Sequence, residues 1–388
     1  MTRTKPRIFL NFVLVLSLFF LAEKSSYAVE NIGAPLALLK QRQLGDLDRL
    51  MNGYLDGYKR DTDKEFDAAN AFDTLSVRDL NISHLFDEWI MAFPKSAAAR
   101  LAKGRYNYEM AWLSRGGGYI SEVPQDKISG MESYISRSIE DLRRACELDP
   151  SQALFSRYLI QAYMTLGQRE DLYREYKRAI TLDQHVRGAR YAYLFALLPQ
   201  WGGSYQEMEG FLSELKGIPD TPKTIKTKGD LEQVYYLQRS QQSFREADFE
   251  QALKFANQAV AANRSQPALS QVGYVLVKLN RHSEAISIFT EAIDLSPATA
   301  NELRGPRQSR AFAYRTLLQN KEALDDYAIL AERGNAYAQY FLGYAYVKGW
   351  GGIKQNQPEG IKWLSLAADR GNESARKLIL EIKSNEIR

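Results

Sequence analysis

Apolar residues along this chain recur at helical spacing, in pairs of short runs separated by turn residues. Within residues 266–297, two successive runs each carry an apolar or small face: Leu269, Val272, Gly273 and Leu276, then Ala285, Phe289 and Ala292. Asn280 lies between the runs and accepts the left-handed backbone conformation of a tight turn. Gly273 and Ala285 are small enough to let two helices approach, and Phe289 would fill the space between them. This segment therefore predicts an antiparallel pair of helices.

The helix-pair pattern repeats along the chain. Small residues mark equivalent points of successive second helices, Ala252, Ala285 and Ala323, at spacings of 33 and 38 residues. The stretches "AERGNAYAQ" (331–339) and "ADRGNESAR" (368–376) match each other at a shift of 37 residues. Periods in this range are typical of stacked helical hairpins. The sequence predicts an all-α fold, an α-solenoid of stacked antiparallel helix pairs that forms a superhelix.

The repeating residues resemble two known repeat families. Residues 266–297 resemble a tetratricopeptide repeat, with looser matches from Arg304, within 232–263 and around 159–179. Residues 338–375 resemble a Sel1-type repeat through small residues, aromatics and loop glycines: Ala338, Leu342, Gly343, Tyr346, Gly349, Gly352, Trp363, Ala367, Ala368, Gly371 and Ala375. Three positions depart mildly from the usual residues: Gly360, Ile353 and Asn356. Both resemblances imply a helical superhelix that binds protein partners.

The first half of the chain carries a different succession of motifs. The stretch "DEWIMAFPKSAAARLAKGRYNYEMAWLSRGGG" is followed by "ELDP" and by "LLPQWGGSYQEMEGF". This succession resembles the bacterial domain of unknown function DUF4034, which implies a helical fold and supplies no activity. Prolines, threonines and lysines then interrupt the helical pattern. We therefore place a DUF4034-like domain with tetratricopeptide-like hairpins at 29–217, a linker at 218–230, tetratricopeptide-like repeats at 231–330 and a Sel1-like repeat at 331–388.

The N-terminal residues have the pattern of a secretory signal peptide, which we place at 1–28. A basic lead, "MTRTKPR", precedes an apolar run at residues 8–22, and Ser26 and Ala28 precede the expected cut. The run is shorter than the roughly 20 residues that span a membrane, although an uncleaved anchor stays open. We expect cleavage after Ala28, export to the periplasm or medium, and no stable membrane insertion after processing.

Removal of this leader leaves an almost neutral chain. The sequence has 51 lysines and arginines against 47 aspartates and glutamates, and the leader holds four of the bases and one of the acids. The mature chain therefore has 47 bases and 46 acids, without the basic footprint of a nucleic-acid-binding protein. Cys146 is the only cysteine, so intramolecular disulfides are excluded. Its helical, apolar surroundings favour a buried structural thiol over a reactive one.

No catalytic, cofactor-binding or metal-binding motif is complete. Ser204 lies in "GGSYQ", which lacks the last glycine of a hydrolase elbow. The spacing Ser204-x-x-Glu207 predicts a capping box at a helix start instead. His84, Asp87 and Glu88 share one helical face, but no second cluster completes a metal site. We therefore expect no catalytic residue, no cofactor and no metal.

Glycine-rich segments leave two alternatives open. Trp201 and Trp350 each precede a pair of glycines. A tryptophan in such a turn either packs over the end of a helical hairpin or stacks on a ligand, and we favour packing. The segment 114–123, "SRGGGYISEV", is either a connection between helices or a ligand loop, and we favour the connection.

Candidate partner-binding residues follow from the repeat frame. The first helix of each repeat lines the inner surface of a solenoid, which points to a groove formed by Tyr274, Lys278, Phe312 and Arg315. Rings supply contact area, and a guanidinium can pair with a carboxylate through two hydrogen bonds. This set suits a protein or peptide segment that bears a carboxylate. A solvated face with scattered aromatics is the alternative.

The sequence as a whole indicates an exported, non-catalytic repeat protein, a scaffold or adaptor in the bacterial envelope. An envelope-active hydrolase is one alternative, with paired acids around Asp87, Glu88 and Glu109, because glycoside hydrolysis needs two carboxylates across a cleft. A small-ligand sensor with its site in residues 29–217 is the other.

Overall fold

The computed structural model describes residues 34–117, 122–296 and 304–386. All regular structure in these ranges is helical, which confirms the predicted all-α fold. The signal peptide at 1–28 lies outside the described residues, as do residues 118–121 of the glycine-rich segment 114–123. By internal contacts the chain divides into two compact units, residues 1–224 and 225–388.

The first unit is built from helices of very different length. They are α1 (Ala34–Lys40), α2 (Leu44–Arg60), α3 (Glu65–Asp73), α4 (Ser83–Ala92), α5 (Ala97–Arg115), α6 (Gln125–Leu148), α7 (Leu154–Thr165), α8 (Arg169–Leu182), α9 (Gly188–Ala196) and α10 (Tyr205–Lys216). The long helices α5 and α6 pack along each other, and α7 packs against both α8 and α9.

Close packing of α5 on α6 depends on a glycine. A β-carbon on Gly104 would lie 2.8 Å from the Leu142 side chain and 3.2 Å from the carbonyl oxygen of Ser138. The hydroxyl of Ser138 donates a hydrogen bond to the Gly104 carbonyl over 2.7 Å. The pair therefore meets backbone to backbone at this point, and the buried hydroxyl is satisfied.

A buried carboxylate joins α3 to the start of α9. Glu65 accepts hydrogen bonds from the backbone N–H groups of Arg187 (2.8 Å) and Gly188 (2.7 Å). The first N–H groups of a helix have no partner within it, so this side chain acts as a cap from 122 and 123 residues away in the sequence. Burial raises the pKa of Glu65, against the two N–H bonds and the Arg157 guanidinium, which lower it.

The stretch 218–230, expected to be a linker, is helical from Pro222 onward, because α11 (Pro222–Arg245) starts there. The hydroxyl of Thr221 accepts from the Thr224 N–H, and the hydroxyl of Thr224 accepts from the Thr221 N–H. Proline is favourable in the first turn of a helix. The threonines and the proline that suggest a break in the helical pattern of the sequence thus form the first turn of α11.

The second unit stacks helix pairs in chain order. After α11 come α12 (Phe249–Ala262), α13 (Gln266–Lys278), α14 (His282–Asp294), α15 (Arg304–Thr316), α16 (Asn320–Glu332), α17 (Ala336–Lys348), α18 (Gln357–Asp369) and α19 (Glu373–Glu386). From α12 onward, each helix packs against the next one along the chain. This is the predicted solenoid of helix pairs.

Small residues bring the helices of a pair together, as the sequence predicts. In the pair α13–α14, a β-carbon on Gly273 would lie 2.5 Å from the Phe289 ring. In the pair α17–α18, a β-carbon on Gly343 would lie 2.9 Å from the carbonyl oxygen of Gly360. No helix in the described ranges is long and apolar enough to cross a membrane.

Candidate partner-binding surface

Arg315, in the last turn of α15, lies between two aromatic rings. Its guanidinium carbon is 5.5 Å from the ring centre of Phe312, on the same helix, and 4.7 Å from that of Phe341, on α17. The side chain is half-buried, and within the described ranges no carboxylate forms an ion pair with it. The structure therefore holds a partly desolvated, uncompensated positive charge against aromatic rings, an arrangement favoured by cation–π attraction.

Two other arginines of α15, Arg307 and Arg310, have a different environment. Arg310 donates two 2.8 Å hydrogen bonds to the carboxylate of Asp326 on α16, and Arg307 adds a third at 3.3 Å. Asp326 is almost fully buried, so these bases neutralise a charge inside the α15–α16 pair. Arg307 and Arg310 are structural, whereas Arg315 is directed toward α17.

Around Arg315 the surface is extended by aromatic residues of α17. Four of them recur at helical spacing and are all half-buried: Tyr337, Tyr340, Phe341 and Tyr344. Phe341 is the centre of the group, since its ring stacks on Tyr327 at 4.7 Å and lies 6.2 Å from Trp350. The repeat frame alone does not point to these residues, although their i, i+3, i+4, i+7 spacing indicates one continuous helical face.

Of the four predicted groove residues, two are exposed and two are half-buried. Lys278 is exposed, Phe312 is 37% exposed with the His282 ring 6.1 Å away, and Arg315 is half-buried. The structure brings Phe312 and Arg315 into contact, whereas in the described ranges no hydrogen bond, ion pair or cation–ring contact joins Lys278 to either. Their role in partner binding stays a prediction.

Tyr274, the fourth predicted residue, is half-buried and packs against neighbouring repeat helices. Its ring lies 5.4 Å from Phe289, and a β-carbon on Gly305 of α15 would lie 2.5 Å from the Tyr274 hydroxyl oxygen. Burial raises the pKa of Tyr274 to about 12. This side chain therefore holds α13 against α15, a role that the inward projection alone did not anticipate.

The acids considered for a hydrolase are ion-paired in the first unit. Glu88 accepts from Arg42 at 2.8 Å, Asp87 lies 3.0 Å from the Lys103 ammonium, and Glu109 lies 3.0 Å from Arg78: three pairs between different helices or turns. Hydrogen bonding to Arg42 lowers the pKa of Glu88, whereas a general acid needs a raised one. The described ranges contain no group of three ligand-type side chains that could hold a metal.

Ser204 begins a helix. Its hydroxyl oxygen accepts from the Glu207 N–H over 3.2 Å at the start of α10, which agrees with the predicted cap. The Glu207 carboxylate does not reach back to the backbone; it accepts from the Ser204 hydroxyl and from Arg169. The two residues before Ser204 must be glycines for steric reasons. Gly202 has a left-handed φ of 84°, and a β-carbon on Gly203 would collide with the Leu197 carbonyl.

Comparison with protein families identifies three parts of the chain. The domain of unknown function DUF4034 matches residues 35–178, a tetratricopeptide repeat matches 267–299 and a Sel1 repeat matches 336–372. The order agrees with the resemblances seen in the sequence. The chain thus carries a DUF4034 domain followed by tetratricopeptide and Sel1 repeats.

Several solved structures show distant similarity to the chain. The Sel1 repeat protein from Oxalobacter formigenes is 17% identical over 91% of this chain and 95% of its own, with a TM-score of 0.38. YrrB, a TPR protein with an unusual peptide-binding site, is 18% identical over 63% of this chain and 99% of its own, with a TM-score of 0.29. The Cut9–Hcn1 tetramer of the APC/C is 14% identical over 91% of this chain and 63% of that one, with a TM-score of 0.38. No curated protein sequence matches the chain.

Proposed function

We propose that the protein is an exported, non-catalytic scaffold whose repeats bind a protein segment that bears a carboxylate. The tetratricopeptide and Sel1 repeats support protein interaction as the general role. The observation that carries the finer proposal is the half-buried guanidinium of Arg315 between Phe312 and Phe341, without an ion-pair partner in the described ranges.

Arg315 is suited to a carboxylate for physical reasons. A partly desolvated charge without a partner is unfavourable, and a carboxylate compensates it through charge-assisted hydrogen bonds. A guanidinium stacked on rings still has N–H groups to donate in its own plane. The rings also restrict its rotamers, so less side-chain entropy is lost on binding. Phe312 and the α17 aromatics then provide apolar area beside the ion pair.

Binding is tested with baits that differ only at the proposed surface. The mature chain, residues 29–388, is compared with Arg315→Gln combined with Phe312→Ala in affinity capture from the native cell envelope. Arg281→Gln is the matched control, because Arg281 is an exposed arginine whose ion pair with Glu284 contributes little. Tyr274 is left unchanged, since its packing role would confound the result.

The captured partner then identifies the chemistry. Its bound segment is mapped and synthesised with each carboxylate replaced by an amide. We expect one replacement to weaken binding to the mature chain about tenfold or more, and to have no further effect on the Arg315→Gln bait. Equal capture by all baits would contradict the proposed surface and leave the general interaction role standing.

The leader sequence supports export, and the tetratricopeptide and Sel1 repeats support an adaptor role. Expression of the full chain in a Gram-negative host, followed by N-terminal sequencing of the periplasmic fraction, is expected to start at Val29. Retention of an intact Met1 in the membrane fraction would favour the uncleaved anchor. The balanced charge of the mature chain leads us to propose no nucleic-acid partner.

A further inference from the structure

The first unit contains a cleft of about 270 Å³ beside the start of α8. Three aromatic side chains line it, Tyr173 from α8, Tyr193 from α9 and Trp201 from the turn before α10. Its remaining apolar wall comes from Met164, Leu172, Ala196 and Leu197. No part of this cleft belongs to the surface around Arg315, which lies in the second unit.

Neighbouring rings hold the cleft aromatics in place. Tyr193 stacks on Tyr176 at 4.2 Å with an interplanar angle of 9°, and it meets the Phe211 ring edge-on at 5.3 Å. Tyr173 lies 6.0 Å from Tyr193 and is 49% exposed, so it forms the open side. Packing of this kind pre-organises a site and reduces the entropy lost on binding.

Arg169 fixes the opposite wall. Its guanidinium donates to the carbonyl oxygen of Gly202 at 2.7 Å and forms an ion pair with Glu207. The turn that carries Trp201 is thereby tied to the start of α8. Both contacts also engage the positive charge of Arg169, so this side chain is already compensated and is a poor anion receptor.

The remaining charge in the lining is negative. Glu170 lines the cleft, is exposed and has no base within ion-pairing distance in the described ranges. The first turn of α8 also contains Asp171, paired with Arg174 at 2.6 Å. Acidic residues in a first turn offset the positive end of the helix dipole.

Tyr173 already has a cation nearby, the Lys177 ammonium at 5.9 Å from its ring centre.

We propose that this cleft binds an organic cation, an alkylated ammonium or a guanidinium group. Aromatic faces attract cations, most strongly when water is excluded, and several rings around one cation are the usual means of recognising quaternary ammonium groups. Glu170 adds a carboxylate at the rim. The cation belongs to a free small molecule or to a lysine or arginine side chain of a partner, and the test separates these sources.

The test is a calorimetric titration of the purified protein with choline and with 3,3-dimethylbutanol, its uncharged carbon analogue. We expect choline to bind at least about fivefold more tightly than the analogue. Tyr173→Leu and Glu170→Gln should each weaken choline about fivefold or more. Tyr173→Phe is the matched control, because it keeps the ring and should keep the affinity. Both positions are exposed, so these variants should fold.

Capped arginine and capped trimethyl-lysine amides, titrated in parallel, distinguish the two sources. Tighter binding of a capped residue than of choline assigns the cleft to a partner side chain, and the reverse order assigns it to a free ligand. Equal affinity for choline and its uncharged analogue would overturn the proposal. So would the absence of binding by all three cation probes, or unchanged affinity for choline in Tyr173→Leu. None of these outcomes bears on the surface around Arg315.

Discussion

The ring of Phe289 occupies the space that a side chain at position 273 would need. A β-carbon on Gly273 would lie 2.5 Å from a ring carbon of Phe289, closer than van der Waals contact allows. Phe289 is fully buried between α13 and α14, so the ring has no free volume into which to move. The glycine and the phenylalanine together set the distance between the two helices.

Gly273→Val should therefore destabilise the repeats. Overpacking of a close-packed core typically lowers the free energy of unfolding by about 2 kcal/mol, which urea unfolding would measure. Gly210→Ala is the control: Gly210 lies within α10 and a β-carbon there would meet nothing within 4 Å, so we expect a gain of about 0.5–1 kcal/mol. An unchanged urea midpoint for Gly273→Val would show that α13 and α14 can move apart without loss of stability.

Two equivalent turns allow a reciprocal exchange. Asn280 and Leu318 both adopt a left-handed backbone, with φ of 58° and 60°. Asparagine tolerates this conformation, whereas for other side chains it is unfavourable by roughly 1–2 kcal/mol. Leu318 is 81% exposed, so little burial is lost when it is replaced. We expect Leu318→Asn to raise the melting temperature and Asn280→Leu to lower it. A lower melting temperature for Leu318→Asn would reveal a stabilising contact of that leucine.

Glu65 should make stability depend on pH. Burial raises its pKa in the folded state above the ordinary value, so its contribution is fully present below the unfolded-state pKa and is lost as pH rises through the folded-state pKa. We expect the stability advantage over Glu65→Gln to be largest in mild acid and to shrink toward neutral pH in urea unfolding. Glu132→Gln, at an exposed position of α6, should show no such trend. A gap that widens with pH would mean that the charged form is the stabilising one.

Cys146 should react slowly while the protein is folded. Burial raises the pKa of its thiol to about 12, and the thiolate is the reactive form. At mildly alkaline pH we expect a disulfide reagent such as DTNB to modify the native protein at least about a hundredfold more slowly than the urea-unfolded chain, whose thiol has a pKa near 8.5. Equal rates in both states would show that the thiol is accessible and easily ionised.

Features with a local cause were predictable from the sequence. The Ser204 cap, the turn at Asn280 and the close approach at Gly273 each follow from a few neighbouring residues. The start of α11 differs from the linker predicted at 218–230. Threonine and proline, present here as Thr221, Pro222 and Thr224, are common both in loops and in the first turns of helices. Only the reciprocal hydrogen bonds of the two threonines distinguish these cases.

The candidate sites were less predictable, since they depend on which distant side chains meet. From the sequence alone, three acids could be free: Asp87, Glu88 and Glu109. In the structure each is paired with a base that lies 16 to 46 residues away in the sequence. Tyr274 is assigned to the groove by its position in the repeat, and only the structure shows that its hydroxyl lies where a β-carbon on Gly305 of a later helix would be.

By itself, the sequence determined that the chain forms paired helices in a given order, because helical periodicity, caps and turn residues act over a few positions. Tertiary structure alone decided the environment of each charge. Arg310 and Arg315 stand five positions apart on one helix, with the same side chain. Arg310 meets a buried aspartate on α16, whereas Arg315 meets the Phe341 ring on α17. The two side chains leave α15 in different directions and meet different helices. This difference makes Arg310 a structural residue and Arg315 a candidate binding residue.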